Sequence, residues 1–167
     1  RNIYIKFLKK NIIKQITFTG NENIINGLAD WVYEEEFGLV RAFDWDKDSN
    51  NLAFIVFDET NVPEYSMKIF GNNLYPFQYN FKYPKAGENN SSLDLKIYNL
   101  ENEKISPIDL NIDKDDYYYI PRLRFSDYSN KLFIQSLNRL QNKLLLTSYD
   151  LGLGIIKRVY EEKDETY

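Results

Sequence analysis

Short runs rich in isoleucine, leucine, phenylalanine and tyrosine recur along the chain, and polar turns separate them. Runs of this kind bounded by asparagine, aspartate and serine are typical of β-strands joined by tight connections. The pattern therefore predicts an all-β chain. The predicted strands are Ile3–Leu8, Ile13–Phe18, Leu39–Trp45, Leu52–Asp58, Leu93–Tyr98, Ile105–Leu110, Tyr117–Phe125, Lys131–Leu137, Lys143–Tyr149 and Ile155–Tyr160.

The strand pattern repeats within the chain. Residues Phe43–Phe54 and Leu123–Ile134 each contain an aromatic-ended strand, an Asp/Ser/Asn turn and a second strand with a leucine near its start. Four strands per cycle at a period of about 40–50 residues is typical of β-propeller blades. We therefore expect a partial β-propeller of about two to two and a half four-stranded antiparallel blades. An ordinary antiparallel sandwich is the alternative.

The start of the chain, Arg1–Lys6, reads as a strand already in progress and has no initiator methionine. We therefore expect it to be a piece of a longer protein, with residues 1–167 forming one part of a propeller domain. A ring needs about four blades or more. Uncovered strand edges bind other chains readily. An isolated piece is thus expected to associate, most simply with another copy of itself.

Two segments interrupt the strand pattern. In the first, Asp30 suits a helix N-cap, three glutamates follow, and Gly38 suits a helix stop, which predicts a short inserted helix over residues 30–37. The second, Val62–Gly87, is too long for a simple turn. It contains an alternating stretch between two prolines, which predicts a projecting hairpin arm. The aromatic side chains expected on one face of that stretch are Phe77, Tyr79, Phe81 and Tyr83.

Composition excludes several classes of function. The net charge of −4 and the pI of about 5.0 argue against a nucleic-acid partner. The chain has no cysteine, no histidine and no Gly-x-Ser-x-Gly element, so it holds no Ser-His-Asp triad. We expect no catalytic residue, metal site or cofactor. No run approaches the roughly 20 apolar residues that span a bilayer, so no membrane contact is expected from this chain.

The triplet Glu34-Glu35-Glu36 is the candidate binding site. On a helix, neighbouring side chains point about 100° apart, so two carboxylates can face one cavity while the third points elsewhere. Two such carboxylates repel each other unless a cation lies between them, and a peptide's α-ammonium suits that place. A solvated acidic face is the plain alternative. A glycosidase is disfavoured, because adjacent glutamates do not flank a sugar from two sides.

The heptapeptide Asp30–Glu36, Asp-Trp-Val-Tyr-Glu-Glu-Glu, resembles the corresponding motif of the dipeptidyl peptidase IV family of S9 prolyl oligopeptidase-like serine peptidases. Three further segments resemble family segments in the same order. They are Val62–Ser66, Tyr83–Glu88 and Leu137–Asn142. The resemblance extends over residues 2–160 and identifies the chain as similar to part of the family's N-terminal β-propeller.

The resemblance implies a parent enzyme that removes N-terminal dipeptides with proline or alanine in the second position. Glu35 and Glu36 would bind the α-ammonium of the peptide substrate, and Glu34 would serve the helix. A C-terminal α/β-hydrolase domain of the parent would carry the triad, so this chain alone is expected to be inactive. The family also implies an extracytoplasmic location. The alternative function is a non-catalytic propeller that binds proteins.

The Val62–Gly87 segment corresponds to the arm that family members extend toward a second subunit. The resemblance therefore implies a homo-oligomer, and the aromatic residues assigned to this contact are Tyr65, Phe77, Tyr79, Phe81 and Tyr83. Packing of these rings on the chain's own blades is the alternative. An apolar face on a projecting element is typical of a protein-binding surface.

Overall fold

The computed structural model describes residues 1–112 and 119–165. Within these ranges the chain forms antiparallel sheets and one short helix, which confirms the all-β prediction. The strands are β1 (Tyr4–Phe7), β2 (Ile12–Gln15), β3 (Ile24–Asn26), β4 (Phe43–Trp45), β5 (Asn51–Asp58), β6 (Glu64–Ile69), β7 (Phe77–Lys82), β8 (Ser92–Asn99), β9 (Lys104–Pro107), β10 (Tyr119–Phe125), β11 (Lys131–Leu137), β12 (Lys143–Asp150) and β13 (Ile155–Lys163), and the helix is α1 (Trp31–Phe37).

The middle blade consists of β3, β4, β5, β8 and β9. Strand β3 pairs with residues 56–58 of β5, and β4 pairs with residues 52–54 of the same strand. Because β8 occupies the other side of β5, the two short strands share one edge and together replace a single strand. The helix lies between them in sequence, so it is an insertion into the edge strand of a four-stranded blade.

Strand β5 is buried on both faces. Its residues 52–57 are all buried, and alternate side chains enter two different cores. Leu52, Phe54 and Val56 pack toward the β1–β2 hairpin, with Ile16. The members of the second core come from β5 and from the following blade, and they include Ala53, Ile55, Phe57, Leu123, Phe125, Leu132 and Ile134. A short, continuously apolar run is the sequence signature of such a doubly covered strand.

The C-terminal blade contains β10, β11, β12 and β13 in that order, each antiparallel to the next. It packs face to face on the middle blade through the second core. Together with the β1–β2 hairpin, this arrangement confirms a partial propeller of half a blade, one interrupted blade and one complete blade. Each large apolar side chain fully buried between the blades stabilises their contact by about 1.5–3 kcal/mol.

Several predicted strand limits were wrong. The Leu39–Trp45 strand is shortened to β4, because Arg41 bridges to Leu28 and not to β5. Strand β3 was missed, since its three residues stand among asparagines that favour turns. The other limits also shifted. The first hairpin's second strand is β2 and not Ile13–Phe18, and the predicted strand Ile105–Leu110 is β9, Lys104–Pro107. Tyr117 lies outside the described residues.

The arm hairpin consists of β6 and β7, which pair with each other from Glu64–Lys82 to Ile69–Phe77. Among the described residues, neither strand pairs with a blade. The hairpin therefore projects from the middle blade between β5 and β8, as the Val62–Gly87 segment predicts. Its register places Tyr65, Met67 and Ile69 opposite Phe81, Tyr79 and Phe77, so that one face is apolar.

Candidate functional site

The inserted helix stands on a short antiparallel stem. The Ala42 amide donates to the Gly27 carbonyl at 3.0 Å, and the Ala29 amide donates to the Val40 carbonyl at 3.1 Å. Gly27 leaves β3 with φ of 75°, and a Cβ there would lie 2.9 Å from the Ile3 side chain, so both its conformation and its surroundings favour glycine. The stem brings the two ends of the insertion together at the edge of the middle blade.

Both ends of the helix are capped. The Asp30 side chain, only 5% exposed, accepts a hydrogen bond from the Tyr33 amide at 3.0 Å and one from the Ser91 hydroxyl at 2.5 Å. At the other end Gly38 adopts the left-handed conformation, φ 60°, and its amide bonds to the Tyr33 carbonyl. The predicted N-cap and helix stop are therefore confirmed. A helix of seven residues gains much of its order from such caps, because its own backbone bonds are few.

Tyr33 joins the helix to both blades. Its side chain is 1% exposed, and its ring packs edge-on against Phe37 and Phe57 at centroid distances of 5.2 and 4.9 Å. Its hydroxyl accepts a hydrogen bond from the Ile120 amide of β10 at 3.2 Å. The β10–β11 register is irregular between Tyr119 and Arg122, where this bond forms. The helix is thus held across the contact between the middle and C-terminal blades.

Two further contacts surround the helix. Trp31 packs on Tyr83 at the base of the arm hairpin, with ring centroids 4.3 Å apart. The Asn90 side chain donates to the Tyr119 hydroxyl at 2.7 Å, and the Tyr119 ring packs edge-on against Phe37 at 5.4 Å. Segments from the arm, from the start of β8 and from the next blade therefore all fix the orientation of the helix.

Glu34, Glu35 and Glu36 are all exposed. None of the three carboxylates forms a hydrogen bond or ion pair with any residue in the described ranges, so all three are free to bind an external group. The amide of Glu34 bonds to the Asp30 carbonyl in the first turn, where a negative side chain also suits the helix dipole. The assignment of Glu35 and Glu36 to substrate binding stays a prediction, and so does the structural role of Glu34.

Two buried carboxyl groups, Asp30 and Glu59, interact electrostatically near the start of the helix. Burial raises the pKa of Asp30, against the opposing effect of its bonds from Ser91 and the backbone. Burial also raises the pKa of Glu59, which is 4% exposed and pairs with Arg1 at 2.8 Å. The charge of Asp30 contributes to the raised pKa of Glu59. Burial therefore disfavours the charged form of both carboxyl groups, and Arg1 opposes that effect at Glu59.

Asp30→Asn gives a pH-dependent test of this arrangement. Asparagine keeps an oxygen for the Tyr33 amide, so the cap survives. Since the folded-state pKa of Asp30 is raised above 3.8, the folded protein retains a proton that the unfolded chain has released. The unfolding free energy of the wild type, relative to that of the variant, should fall as the pH rises above 3.8 and then level off. Denaturant unfolding between about pH 4 and pH 7 measures both unfolding free energies. A wild type that becomes more stable relative to Asp30→Asn as the pH rises would contradict the prediction.

A separate cleft of about 500 Å³ lies between β4 and β10. Its lining includes Arg41, Arg122 and Arg124, together with Asp44. Asp44 accepts a hydrogen bond from the Phe125 amide at 2.8 Å and so ties the two blades together there. Glu35 and Glu36 do not line this cleft. The acidic helix and the basic cleft are therefore distinct features.

The five aromatic residues assigned to the arm contact divide into two groups. Phe77, Tyr79 and Tyr65 are 53%, 52% and 39% exposed, whereas Phe81 and Tyr83 are half-buried at the base of the hairpin. Tyr65 packs on Phe81 and on Tyr83 at centroid distances of 5.9 and 5.5 Å. Only Tyr83 continues this cluster onto the inserted helix, through Trp31. The outer rings form an open apolar surface, and their role in association stays a prediction.

Comparison with known proteins establishes the family. The family model described as "Dipeptidyl peptidase IV (DPP IV) N-terminal region" matches residues 1–167. The chain belongs to this family. A crystal structure of Porphyromonas gingivalis dipeptidyl peptidase 4 superposes with a TM-score of 0.92 at 39% identity, covering 99% of this chain and 24% of that one. The partial propeller is therefore the fold of this N-terminal region.

Two curated relatives show the range of the family. The inactive dipeptidyl peptidase 10 of Mus musculus is 34% identical over 99% of this chain and 21% of its own length. The probable dipeptidyl-aminopeptidase B of Neurospora crassa is 32% identical over 90% of this chain and 18% of its own length. The chain thus spans about a fifth of the length of these relatives. Within the described ranges, no helix is long and apolar enough to cross a membrane.

Sequence reasoning missed the residues that support the helix from outside it. These residues lie far from the motif along the chain, and they contact the helix or each other only in the folded structure. They are Asn90, Ser91 and Tyr119. At Asn90 and Ser91 the only local signal was the pair of overlapping Asn-x-Ser sequons at residues 89–92. That signal points to a surface loop, whereas Ser91 is 2% exposed. The pairing of Ser91 with Asp30 depends on tertiary structure alone.

Proposed function

We propose that this chain is the substrate-recognition part of a dipeptidyl peptidase IV-like serine exopeptidase. Glu35 and Glu36 bind the α-ammonium group of the substrate, and thereby place the second peptide bond at the nucleophile of a hydrolase domain elsewhere in the parent. One observation carries the proposal. The helix that contains the family motif is anchored to both blades, and its exposed glutamates have no partner among the described residues. Fixed placement of a scissile bond accelerates its cleavage without contact to the bond.

The chemistry of the site supports an amine ligand. An α-ammonium carries one positive charge and N–H donors suited to two carboxylates, and it is charged at neutral pH because its usual pKa is about 7.7–8.0. The test uses the full-length parent. It should release Gly-Pro from a chromogenic Gly-Pro substrate and fail with the N-acetylated form, which lacks the charge.

A non-catalytic protein-binding propeller is the second candidate. One specific observation favours it, namely the 34% identity to a relative whose name describes it as inactive. The two candidates differ in the rest of the parent chain. A peptidase parent continues into a Gly-x-Ser-x-Gly element followed by aspartate and histidine, whereas a binding protein lacks one of these groups. Absence of Gly-Pro release by a folded full-length parent would favour the second candidate.

The arm hairpin is proposed to join two copies of the parent. Its apolar face is open at the outer end, and its polar face, with Ser66, Lys68 and Asn80, points the other way. Exposed apolar surface on a projecting hairpin is stabilised when a second subunit covers it. We further propose that the parent acts outside the cytoplasm, a location that cell fractionation with an antibody to the chain would test.

Replacing the outer rings should weaken this association. The double variant Phe77→Ser, Tyr79→Ser in the full-length parent removes two half-exposed aromatic side chains from the arm surface. We expect the oligomer to dissociate at concentrations where the wild type stays associated, as measured by size-exclusion chromatography with light scattering. The double variant Lys68→Ser, Gln78→Ser on the polar face is the matched control. Equal molar mass for all three proteins would contradict the proposed role of the arm.

A further inference from the structure

We propose that Ser91 is a positioning residue for the ammonium-binding glutamates, acting through Asp30. This inference rests on the proposed function of Glu35 and Glu36. The Ser91 hydroxyl donates to the Asp30 carboxylate at 2.5 Å, and the other oxygen of that carboxylate caps the helix through the Tyr33 amide. One side chain from the start of β8 therefore fixes the first turn of the helix that carries the glutamates.

The contact between Ser91 and Asp30 is buried. Ser91 is 2% exposed and Asp30 is 5% exposed, so water does not replace the bond when it is removed. Neighbouring Asn90 donates to the Tyr119 hydroxyl, which fixes the backbone that presents Ser91. Without the serine hydroxyl, one Asp30 oxygen loses its side-chain donor, and only the backbone bonds from the first helical turn still orient the carboxylate.

The geometry predicts that Ser91→Ala affects substrate binding more than folding stability. Ser91 has a small side chain, and replacing it with alanine removes one buried oxygen atom and leaves no large cavity. The helix stays anchored by Tyr33 and by Gly38. What changes is the direction in which the second turn presents Glu35 and Glu36, and a displacement of about 1 Å at such a site lowers rates strongly.

The test is a double-mutant cycle in the full-length parent, with the wild type, Ser91→Ala, Glu36→Gln and the combined variant. With a Gly-Pro chromogenic substrate, Ser91→Ala should lower kcat/KM about tenfold, mostly through KM. In the Glu36→Gln background the same change should cost clearly less than in the wild type, because one of the two groups that it positions is already lost. Ser91→Thr, which keeps the hydroxyl, should restore part of the loss.

The control is Ser136→Ala. Ser136 is also fully buried, and its hydroxyl has no partner among the described residues, so this change reports the general effect of removing a buried serine oxygen. An equal loss for Ser91→Ala in both backgrounds, or no loss in the wild-type background, overturns the proposal. If Glu36→Gln itself leaves kcat/KM unchanged, the proposed function fails and the role of Ser91 fails with it.

Discussion

Glu36→Gln in the full-length parent is expected to lower kcat/KM for a Gly-Pro chromogenic substrate about a hundredfold or more, and Glu35→Gln should do the same. Glutamine keeps the size and helix preference of glutamate but removes the charge that faces the α-ammonium. The loss is large because, in the closed complex, the substrate cation would stay buried with one of its two counter-charges missing. Steady-state kinetics on the purified variants measures the effect.

Glu34→Gln is the matched control for these variants. It changes the same residue type on the same exposed helix, yet we expect less than about a threefold change, since its charge acts only on the helix dipole. Thermal unfolding should be similar for all three variants, because none of the carboxylates forms a bond with another described residue. A parent that tolerates Glu35→Gln and Glu36→Gln as well as Glu34→Gln would remove the acidic pair from the mechanism.

Tyr33→Ala is expected to destabilise the propeller by about 3–5 kcal/mol and to abolish dipeptide release. The side chain is 1% exposed, and its ring lies between the helix, the middle blade and β10. Truncation leaves a cavity where these three elements meet, so helix orientation and blade contact are lost together. Denaturant unfolding of the full-length parent, followed by tryptophan fluorescence, measures the first effect.

Tyr33→Phe separates packing from hydrogen bonding. Phenylalanine fills the same space, but the Ile120 amide loses its acceptor, which costs about 1–3 kcal/mol. We therefore expect a smaller loss of stability than for alanine, together with activity that is reduced but measurable. Equal stability of the wild type and Tyr33→Ala would mean that the helix is not held through this side chain.

The local elements were well predicted from the sequence. Asp30 and Gly38 marked the helix limits because capping depends on residues adjacent in sequence. The arm was predicted from alternation between two prolines, and its register bears this out by bringing Tyr65 opposite Phe81. Blade repetition was also visible, because each cycle of strands repeats its own turn chemistry.

The long-range contacts were not predictable in the same way. Nothing in the local sequence shows that the Tyr33 hydroxyl reaches Ile120, 87 residues away. The Ser91–Asp30 bond spans 61 residues. Strand β3 was missed because a three-residue strand flanked by asparagine has little propensity of its own. It forms because β5 offers a paired edge, which is a tertiary effect.

The stem formed by residues 27–29 and 40–42 separates the exposed side of the inserted helix from the strands of the blade. The two ends of the insertion are hydrogen-bonded to each other. The strands of the blade therefore connect to the same paired backbone segments, whichever exposed side chains the helix carries. Changes at the exposed positions 34–36 are then absorbed outside the sheet, while Asp30, Tyr33 and Gly38 keep the helix in place. Ligand preference can evolve on this outgrowth while the register of the strands beneath it is inherited unchanged.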